Sequence, residues 1–199
     1  EEGHHTTVSE TDFYAVGNYQ GGRHEWGYIS QFRIYEGAYT PSELDSKEPE
    51  PAPEPIVSID VVDGAIVFGG SASYDGVVQG SPVIVEGHTG AQTGILFDSG
   101  DDVLLLGNGI DTDGSWTVDT YLYSPIPHSN DGWRTLTRGA GGDHQIIIKG
   151  TDQTSLGSYD NTGGSGFQDS GFDVTSLSNG WHRLTCLLYT SDAADDTCC

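Results

Sequence analysis

Apolar and polar residues alternate with a period of two over many short segments of this chain. The segment 116–123 shows the alternation most clearly. One face carries Trp116, Val118, Thr120 and Leu122, and the other carries Thr117, Asp119, Tyr121 and Tyr123. This period is typical of a strand with one buried face. Helical periodicity is scarce, and turn residues recur about every ten residues, so we predict an all-β sandwich or barrel.

Strand-like segments, each bounded by Gly-, Asp- or Pro-rich turns, fill the chain after residue 55. We predict strands over 56–62, 65–68, 74–78, 82–86, 95–97, 103–106, 116–123, 133–138, 144–149, 155–159 and 181–185. Asp63-Gly64 is a strong hairpin signal between the first two. Residues 163–166 (Gly-Gly-Ser-Gly) are predicted to form a flexible loop.

The first 46 residues contain one clear strand and one helix start. In 28–35 we predict that Tyr28, Phe32 and Ile34 share the core face. Residues 40–43 (Thr-Pro-Ser-Glu) form a capping box with Pro at the first helical position, which predicts one helical turn ending near Ser46. Residues 47–55 (Lys-Glu-Pro-Glu-Pro-Ala-Pro-Glu-Pro) predict an extended polyproline II linker, with a Pro-motif ligand as the alternative.

Several motifs resemble those of one family. The segment 97–102 (Phe-Asp-Ser-Gly-Asp-Asp), Gly107-Asn108, 115–118 (Ser-Trp-Thr-Val) and 180–184 (Gly-Trp-His-Arg-Leu) resemble the opening part of laminin-G-like domains, of the concanavalin A-like lectin superfamily. Residues 29–44 resemble the closing part of such a domain. The chain departs from the family pattern by inserting Ser99 and by placing Tyr121 where Trp is frequent. The resemblance implies an antiparallel jelly-roll sandwich in a secreted or cell-surface protein.

The two matches come in the reverse of the family's order. We therefore interpret 1–46 as the C-terminal part of a first domain, 47–55 as the linker and 56–185 as the N-terminal part of a second domain in a tandem array. Unpaired strand edges expose backbone N–H and C=O groups that pair readily with another strand. We therefore hypothesise that 1–46 docks onto 56–185 and completes one circularly permuted sandwich.

The C-terminal residues from about 186 onward resemble a translated sequencing adapter and are set aside from fold reasoning. All three cysteines, Cys186, Cys198 and Cys199, fall in this tail. Without the tail, no disulfide framework and no cysteine metal site are expected. A redox pair at 198–199 is the alternative. Glu1 is not an initiator methionine, so we expect the natural N-terminus, with any targeting signal, to lie elsewhere.

The charge balance is strongly acidic: 7 basic residues stand against 30 acidic ones, a net charge of −23. Such a surface repels nucleic acids and anionic membranes, so we predict neither as a partner. No apolar run is long enough for a membrane span, so we predict no membrane insertion. The acidic composition has three interpretations: adaptation to salt, binding of divalent cations, or simple solubility.

Catalytic patterns are missing from the sequence. The laminarinase-like enzymes of this superfamily carry a Glu-x-Asp-x-x-Glu strand, which supplies the paired carboxylates of glycoside hydrolysis. This chain has no such run, no phosphate-binding loop and no zinc-type histidine pair. His4 and His5 are adjacent and would face opposite ways on a strand. We predict a protein that is not an enzyme, with a glycoside hydrolase as the alternative.

Calcium is the candidate cofactor, because acidic loops at strand ends suit its preference for oxygen ligands. Asp143 precedes a strand as a calcium ligand does in pentraxins, which this segment resembles, although His144 replaces the Asn of that family. A second acidic turn contains Asp98, Asp101 and Asp102. There we expect the carboxylates to accept hydrogen bonds from turn amides instead.

Sugar binding needs aromatic faces with polar groups at their edges. We predict ligand-binding residues on loops and strand ends of the second segment: Trp133, Arg138, His144, Tyr159, Asp160 and Asn161. Trp116 and Trp181 are predicted to be core residues. The function predicted from the sequence is a non-catalytic extracellular binding or adhesion module for glycans or extracellular proteins. A structural spacer repeat is the main alternative.

Overall fold

The computed structural model describes residues 12–17, 26–45, 53–112, 114–127 and 132–188. The first strands are β1 (Asp12–Gly17), β2 (Gly27–Glu36), β3 (Val57–Val62), β4 (Ala65–Gly69), β5 (Gly76–Gln79), β6 (Val83–Val85) and β7 (Gly94–Phe97). They are followed by β8 (Val103–Asp111), β9 (Trp116–Ser124), β10 (Arg134–Arg138), β11 (His144–Ile148), β12 (Ser155–Asp160), β13 (Gly166–Asp173) and β14 (Gly180–Leu188). A short helix, α1 (Pro41–Leu44), and a 3-10 turn (Val174–Ser176) complete the described elements.

These strands form two antiparallel sheets. Sheet A has the order β13-β12-β11-β10-β1-β8-β5. Sheet B has the order β14-β9-β2-β3-β4, and β7 pairs with both β2 and β6. One apolar cluster contains residues of both sheets, as in a β-sandwich. The prediction of an all-β antiparallel fold is confirmed at this level. Within the described residues no helix is long and apolar enough to cross a membrane.

The strands of the N-terminal segment lie inside both sheets. β1 pairs with β8 on one side and β10 on the other. β2 pairs with β9 on one side and, on the other, with β7 and then β3. The two segments therefore share their sheets, which is the arrangement that the docking hypothesis expects. Their assignment to two different family domains stays a prediction. Residues 46–52, which hold most of the predicted linker, and residues 1–11, which include His4 and His5, lie outside the described residues.

The core face predicted for β9 is confirmed, but Thr117 and Asp119 of the other face are buried as well, at 0% and 8% exposure. Trp116, Val118, Thr120 and Leu122 are all at most 3% exposed and lie on the core side. Trp116 also packs edge-on against Phe13 of β1, with ring centroids 5.2 Å apart. By contrast, the prediction for Trp181 is wrong. Its ring is only partly buried and contacts Tyr123, which lies on the face of β9 that points away from the core.

A β-bulge in β2 overturns the predicted facing of Tyr28. The register shifts between Ser30 and Arg33, and Gln31 has a φ of 51°. The extra residue changes the parity of the strand, so that side chains before and after it are out of step. Ile29, Phe32 and Ile34 consequently share the core. Tyr28 lies on the outer face, with its ring against that of Tyr123.

The local turn and cap predictions are confirmed. Asp63 and Gly64 both have positive φ, as a tight hairpin turn between β3 and β4 requires. The Thr40 side chain accepts from the backbone N–H of Glu43, and the Glu43 carboxylate accepts from the backbone N–H of Thr40. The helix ends at Leu44, slightly earlier than expected. In the acidic turn, the buried Asp102 carboxylate accepts backbone N–H bonds from Asp98, Ser99 and Ser81, as predicted for a turn carboxylate.

The sequence did not predict β13, an edge strand that begins within the expected flexible loop. Its sequence, GFQDSGFD, has two glycines and four polar residues. Such a segment has little strand preference of its own. It forms a strand because β12 supplies a hydrogen-bonding partner along its length, from Asp160↔Gly166 to Ser155↔Asp173.

The expectation that the cysteines play no structural part is corrected for Cys186. β14 continues to Leu188, with Leu188 paired to Trp116. Cys186 is 2% exposed, lies in the core cluster and is disulfide-bonded. Residues 189–199, with Cys198 and Cys199, lie outside the described residues. The adapter interpretation of the tail stays a prediction.

Candidate functional site

Three aromatic rings meet on the face of sheet A that points away from the core. Ile146 and Ile148 of β11 point into the core, and Ile147 points to this outer face. The ring of Trp133, just before β10, lies edge-on to Tyr159 of β12 with centroids 5.1 Å apart. The same indole lies 5.5 Å from the ring of Phe167 in β13. All three side chains are partly exposed. We call Trp133, Tyr159 and Phe167 the sheet A ring cluster.

Two glycines make room for these rings. A Cβ atom on Gly150 would lie 3.0 Å from Cδ1 of Trp133. A Cβ atom on Gly157 would lie 2.8 Å from Cζ of Phe167 and 2.1 Å from the carbonyl oxygen of Gln168. A side chain at either position would displace the neighbouring ring. The backbone of sheet A therefore sets the positions of the rings.

Polar groups accompany the ring cluster. The Lys149 ammonium lies 5.4 Å from the Phe167 ring centroid and 3.6 Å from a carboxylate oxygen of Asp152. Burial acts to raise the pKa of Asp152, but hydrogen bonds from Thr154 and Ser155 outweigh it, and the pKa is lowered. Within the described residues the indole N–H of Trp133 and the hydroxyl of Tyr159 make no hydrogen bond. Neither is a buried unpaired atom, so both can reach a ligand.

His144 lies beneath the ring cluster. It is 2% exposed, and its Nδ1 is 3.0 Å from the hydroxyl oxygen of Thr135 in β10. Its ring stands edge-on to Tyr159 at 6.4 Å. His144 therefore supports the phenol ring from the sheet side, and it presents almost no surface to solvent.

The predicted acidic and amide residues join two neighbouring hairpin loops, 139–143 and 161–165. Asp143 is fully buried, and its Oδ1 accepts from the backbone N–H of Asn161 at 2.8 Å and of Thr162 at 2.7 Å. The Asn161 side chain donates back to the carbonyl of Gly142. Asp160 accepts from the backbone N–H of Gly163 at 2.6 Å. Asp143 and Asn161 therefore hold the two loops together, and Asp160 closes the 161–165 loop on itself.

This arrangement fits a calcium site poorly. The groups that approach Asp143 Oδ1 are backbone N–H donors, whereas calcium requires oxygen ligands. The neighbouring Gly142 carbonyl already accepts from Asn161. No group of three or more His, Cys, Asp or Glu side chains in the described ranges is placed to hold a metal ion. Calcium at Asp143 stays a prediction.

Arg138 ends β10 beside the same loops. Its backbone pairs with Ala15 of β1, and a Cβ atom on Gly142 would lie 3.4 Å from its Nη2. The guanidinium therefore lies against the 139–143 loop. Arg138 is partly exposed, and a ligand that extends beyond the rings toward these loops would meet it.

The predicted residues thus fall into one region with two parts. Trp133, Tyr159 and the supporting His144 form ring contacts, and Asp143, Asp160 and Asn161 form loop contacts. Sequence reasoning missed Phe167 and Lys149. The signal for Phe167 was concealed because its segment looked like a continuation of a Gly-rich loop. Lys149 was noted only as the end of a strand.

No protein-family model matches this chain, and neither a curated protein nor a solved structure matches it.

Proposed function

We propose that this protein is a non-catalytic binding module that binds a glycan at the sheet A ring cluster. The observation that carries the proposal is the group of three partly exposed rings over Gly150 and Gly157. The C–H face of a sugar ring stacks on aromatic rings. The Trp133 N–H and the Tyr159 O–H, which have no partner among the described residues, can bond its hydroxyls.

The charge of the chain favours a neutral glycan. A net charge of −23 repels an anionic polysaccharide at long range. Lys149 lies over the Phe167 ring of the cluster, and Asp152 partly neutralises it. Two antiparallel sheets and the sequence motifs support a laminin-G-like jelly roll, and such a module would function in an extracellular or cell-surface protein.

The test compares Trp133→Ala with the wild-type protein against a panel of neutral oligosaccharides, by isothermal titration calorimetry. We expect the variant to lose at least about tenfold in affinity, because the central ring of the cluster is removed. Tyr39→Ala is the control, since Tyr39 is a partly exposed aromatic residue on the loop after β2. Thermal unfolding of each variant verifies the fold.

The alternative functions give different outcomes. Absence of binding to the whole panel by a folded wild-type protein would overturn the proposal and favour a structural spacer. Equal binding by wild type and Trp133→Ala would overturn the position of the site. Release of shorter sugars during incubation would favour a glycoside hydrolase.

A further inference from the structure

A second set of aromatic side chains lies in a line on the outer face of sheet B. Trp181 of β14 is paired with Tyr123 of β9. Their ring centroids are 5.4 Å apart, and the Tyr123 ring is 5.6 Å from that of Tyr28 in β2. All three residues are partly exposed. We call Trp181, Tyr123 and Tyr28 the sheet B ring row.

The strand register extends this row across further strands. Tyr28 is paired with Leu96 of β7, and Leu96 is paired with Val83 of β6. Val83 is 44% exposed. The line therefore crosses five neighbouring strands, β14, β9, β2, β7 and β6. At about 4.8 Å between strands it is roughly 19 Å long, which is longer than one sugar ring.

A polar border runs beside the row. Two residues further along these strands, on the same face, Arg183 of β14 is paired with Tyr121 of β9, and Tyr121 with Ser30 of β2. The His88 ring stacks on Tyr121 at 3.8 Å with an interplanar angle of 4°, and its Nδ1 is 2.9 Å from the Ser30 hydroxyl oxygen. The row is thus apolar along its centre and edged by groups that form hydrogen bonds.

At this border two carboxylates face one cation. The Arg183 guanidinium binds both carboxylate oxygens of Asp119, at 2.8 and 3.2 Å, and Asp45 at 2.6 Å. Burial acts to lower the pKa of Arg183, but the hydrogen bonds to Asp119 and Asp45 outweigh it and raise the pKa. A ligand on the row therefore meets no uncompensated cation there, and the surplus negative charge disfavours an anionic ligand.

The polar atoms of the row have no partners within the described residues. The hydroxyls of Tyr28 and Tyr123 and the indole N–H of Trp181 make no hydrogen bond there, and none of them is a buried unpaired atom. The Tyr74 hydroxyl differs, since it donates to the Gly69 carbonyl at 2.7 Å. The row thus offers both apolar surface and unused hydrogen-bonding groups, which is the combination that sugar recognition needs.

We propose that the sheet B ring row binds an extended neutral polysaccharide chain. A peptide is disfavoured, because extended peptides commonly bind along an open sheet edge through their main chain. The centre of the row lies on β9 and β2, which are hydrogen-bonded on both sides. This proposal shares its ligand class with the proposed function, but different residues on the opposite face carry it. With both faces engaged, one molecule would join two glycan chains.

The test measures retention of the chain on insoluble neutral polysaccharides, namely cellulose, xylan and β-1,3-glucan. The variants are Trp181→Ala, Trp133→Ala and the double variant, with Tyr39→Ala as the aromatic control. We expect Trp181→Ala to weaken retention on at least one polymer by about tenfold or more, and the double variant to abolish it. Tyr39→Ala should match the wild type.

Each result separates the two proposals. Loss with Trp133→Ala and no effect of Trp181→Ala would overturn the sheet B site and leave the sheet A site intact. Loss with Trp181→Ala alone would support the sheet B site on these polymers, and the titration with soluble oligosaccharides would decide the sheet A site separately. No retention of the wild type on any polymer would overturn the sheet B site, while soluble oligosaccharides would still test the sheet A cluster.

A fluorescence titration tests the same site with Trp181 in place, so the result does not depend on the folding of Trp181→Ala. Trp26 and Trp116 are 1% and 2% exposed, so Trp181 is the partly exposed indole in a Trp133→Phe background. Addition of soluble xylan or β-glucan should change the emission of that variant and should give a saturable curve. No change, with the fold intact, would overturn the proposal.

Discussion

The outer faces of the two sheets both carry aromatic rings, but the carboxylates near those rings have different hydrogen-bond partners. On sheet A, Asp143 and Asp160 turn inward and accept backbone N–H groups of the hairpin loops. On sheet B, Asp119 stays on the face and binds the Arg183 guanidinium and the Thr185 hydroxyl. The difference follows from what lies nearby: loops present unpaired amides, whereas strands have already used theirs.

This comparison shows that acidic residues next to a strand end do not by themselves mark a metal site. Loop amides compete for the same oxygens, and a buried carboxylate that accepts two of them already has a structural role. Aromatic residues are more informative on these sheets, because their exposure depends on which face of the strand they occupy. The predictions below test the comparison.

The largest effect is expected for Asp143→Ala. The variant leaves the amides of Asn161 and Thr162 without their acceptor in a site where the side chain is fully buried. We expect the free energy of unfolding to fall by about 3 kcal/mol in urea denaturation. Asp98→Ala, at an exposed aspartate without a side-chain hydrogen bond among the described residues, should change it by less than about 0.5 kcal/mol. Equal effects of the two would refute the structural role of Asp143.

A smaller effect is expected for the ion pair on sheet B. A double-mutant cycle with Asp119→Ala and Arg183→Ala should give a coupling of about 1–2 kcal/mol, because the hydrogen bonds are bidentate and the side chains are only 12% and 22% exposed. High salt should reduce it. The exposed Lys149–Asp152 pair, at 3.6 Å, is the control and should give at most about 0.5 kcal/mol. A coupling no larger than the control would contradict a stabilising Asp119–Arg183 pair on this face.

The smallest effect concerns pH and His88. Burial lowers the pKa of His88 below its ordinary value of 6.5. A proton therefore binds more readily to the unfolded chain, so the stability that neutral His88 contributes is complete above about pH 6.5 and is lost as pH falls through its folded pKa. The difference in unfolding free energy between wild type and His88→Gln should shrink from pH 7.5 to pH 5. A constant or growing difference would show that the stack on Tyr121 does not depend on a neutral ring.

Features that depend on neighbours in sequence could be predicted. The alternation of Trp116 to Leu122 fixes which face of β9 is buried, because period two is a property of the strand itself. The Asp63-Gly64 turn and the cap at Thr40 need only residues within one turn. Several site residues also followed from local signals, since Trp133, Tyr159 and Asn161 follow or precede strands whose existence was clear.

Features that depend on a partner strand could not be predicted. The bulge at Gln31 moves Tyr28 to the outer face, and only the pairing of β2 with β9 reveals it. Phe167 joins the sheet A ring cluster because β12 draws a Gly-rich segment into β13. His144 is two residues from the loop contact of Gly142, yet its burial depends on Thr135 and Tyr159 from other strands.

The sequence by itself determined that this protein is built of antiparallel strands with short turns, because alternation, turn residues and caps act over a few neighbouring residues. Tertiary structure alone decided how the N-terminal strands enter both sheets, which aromatic residues meet on each outer face, and that Asp143 binds backbone amides. Those outcomes depend on how separate segments pair: Gln145 contacts Asp12, 133 residues away, and Tyr123 of β9 contacts Tyr28 of β2. Asp143 meets the amide of Asn161 across two hairpin loops, 18 residues away. A register is a property of two strands together, and neither strand encodes it alone.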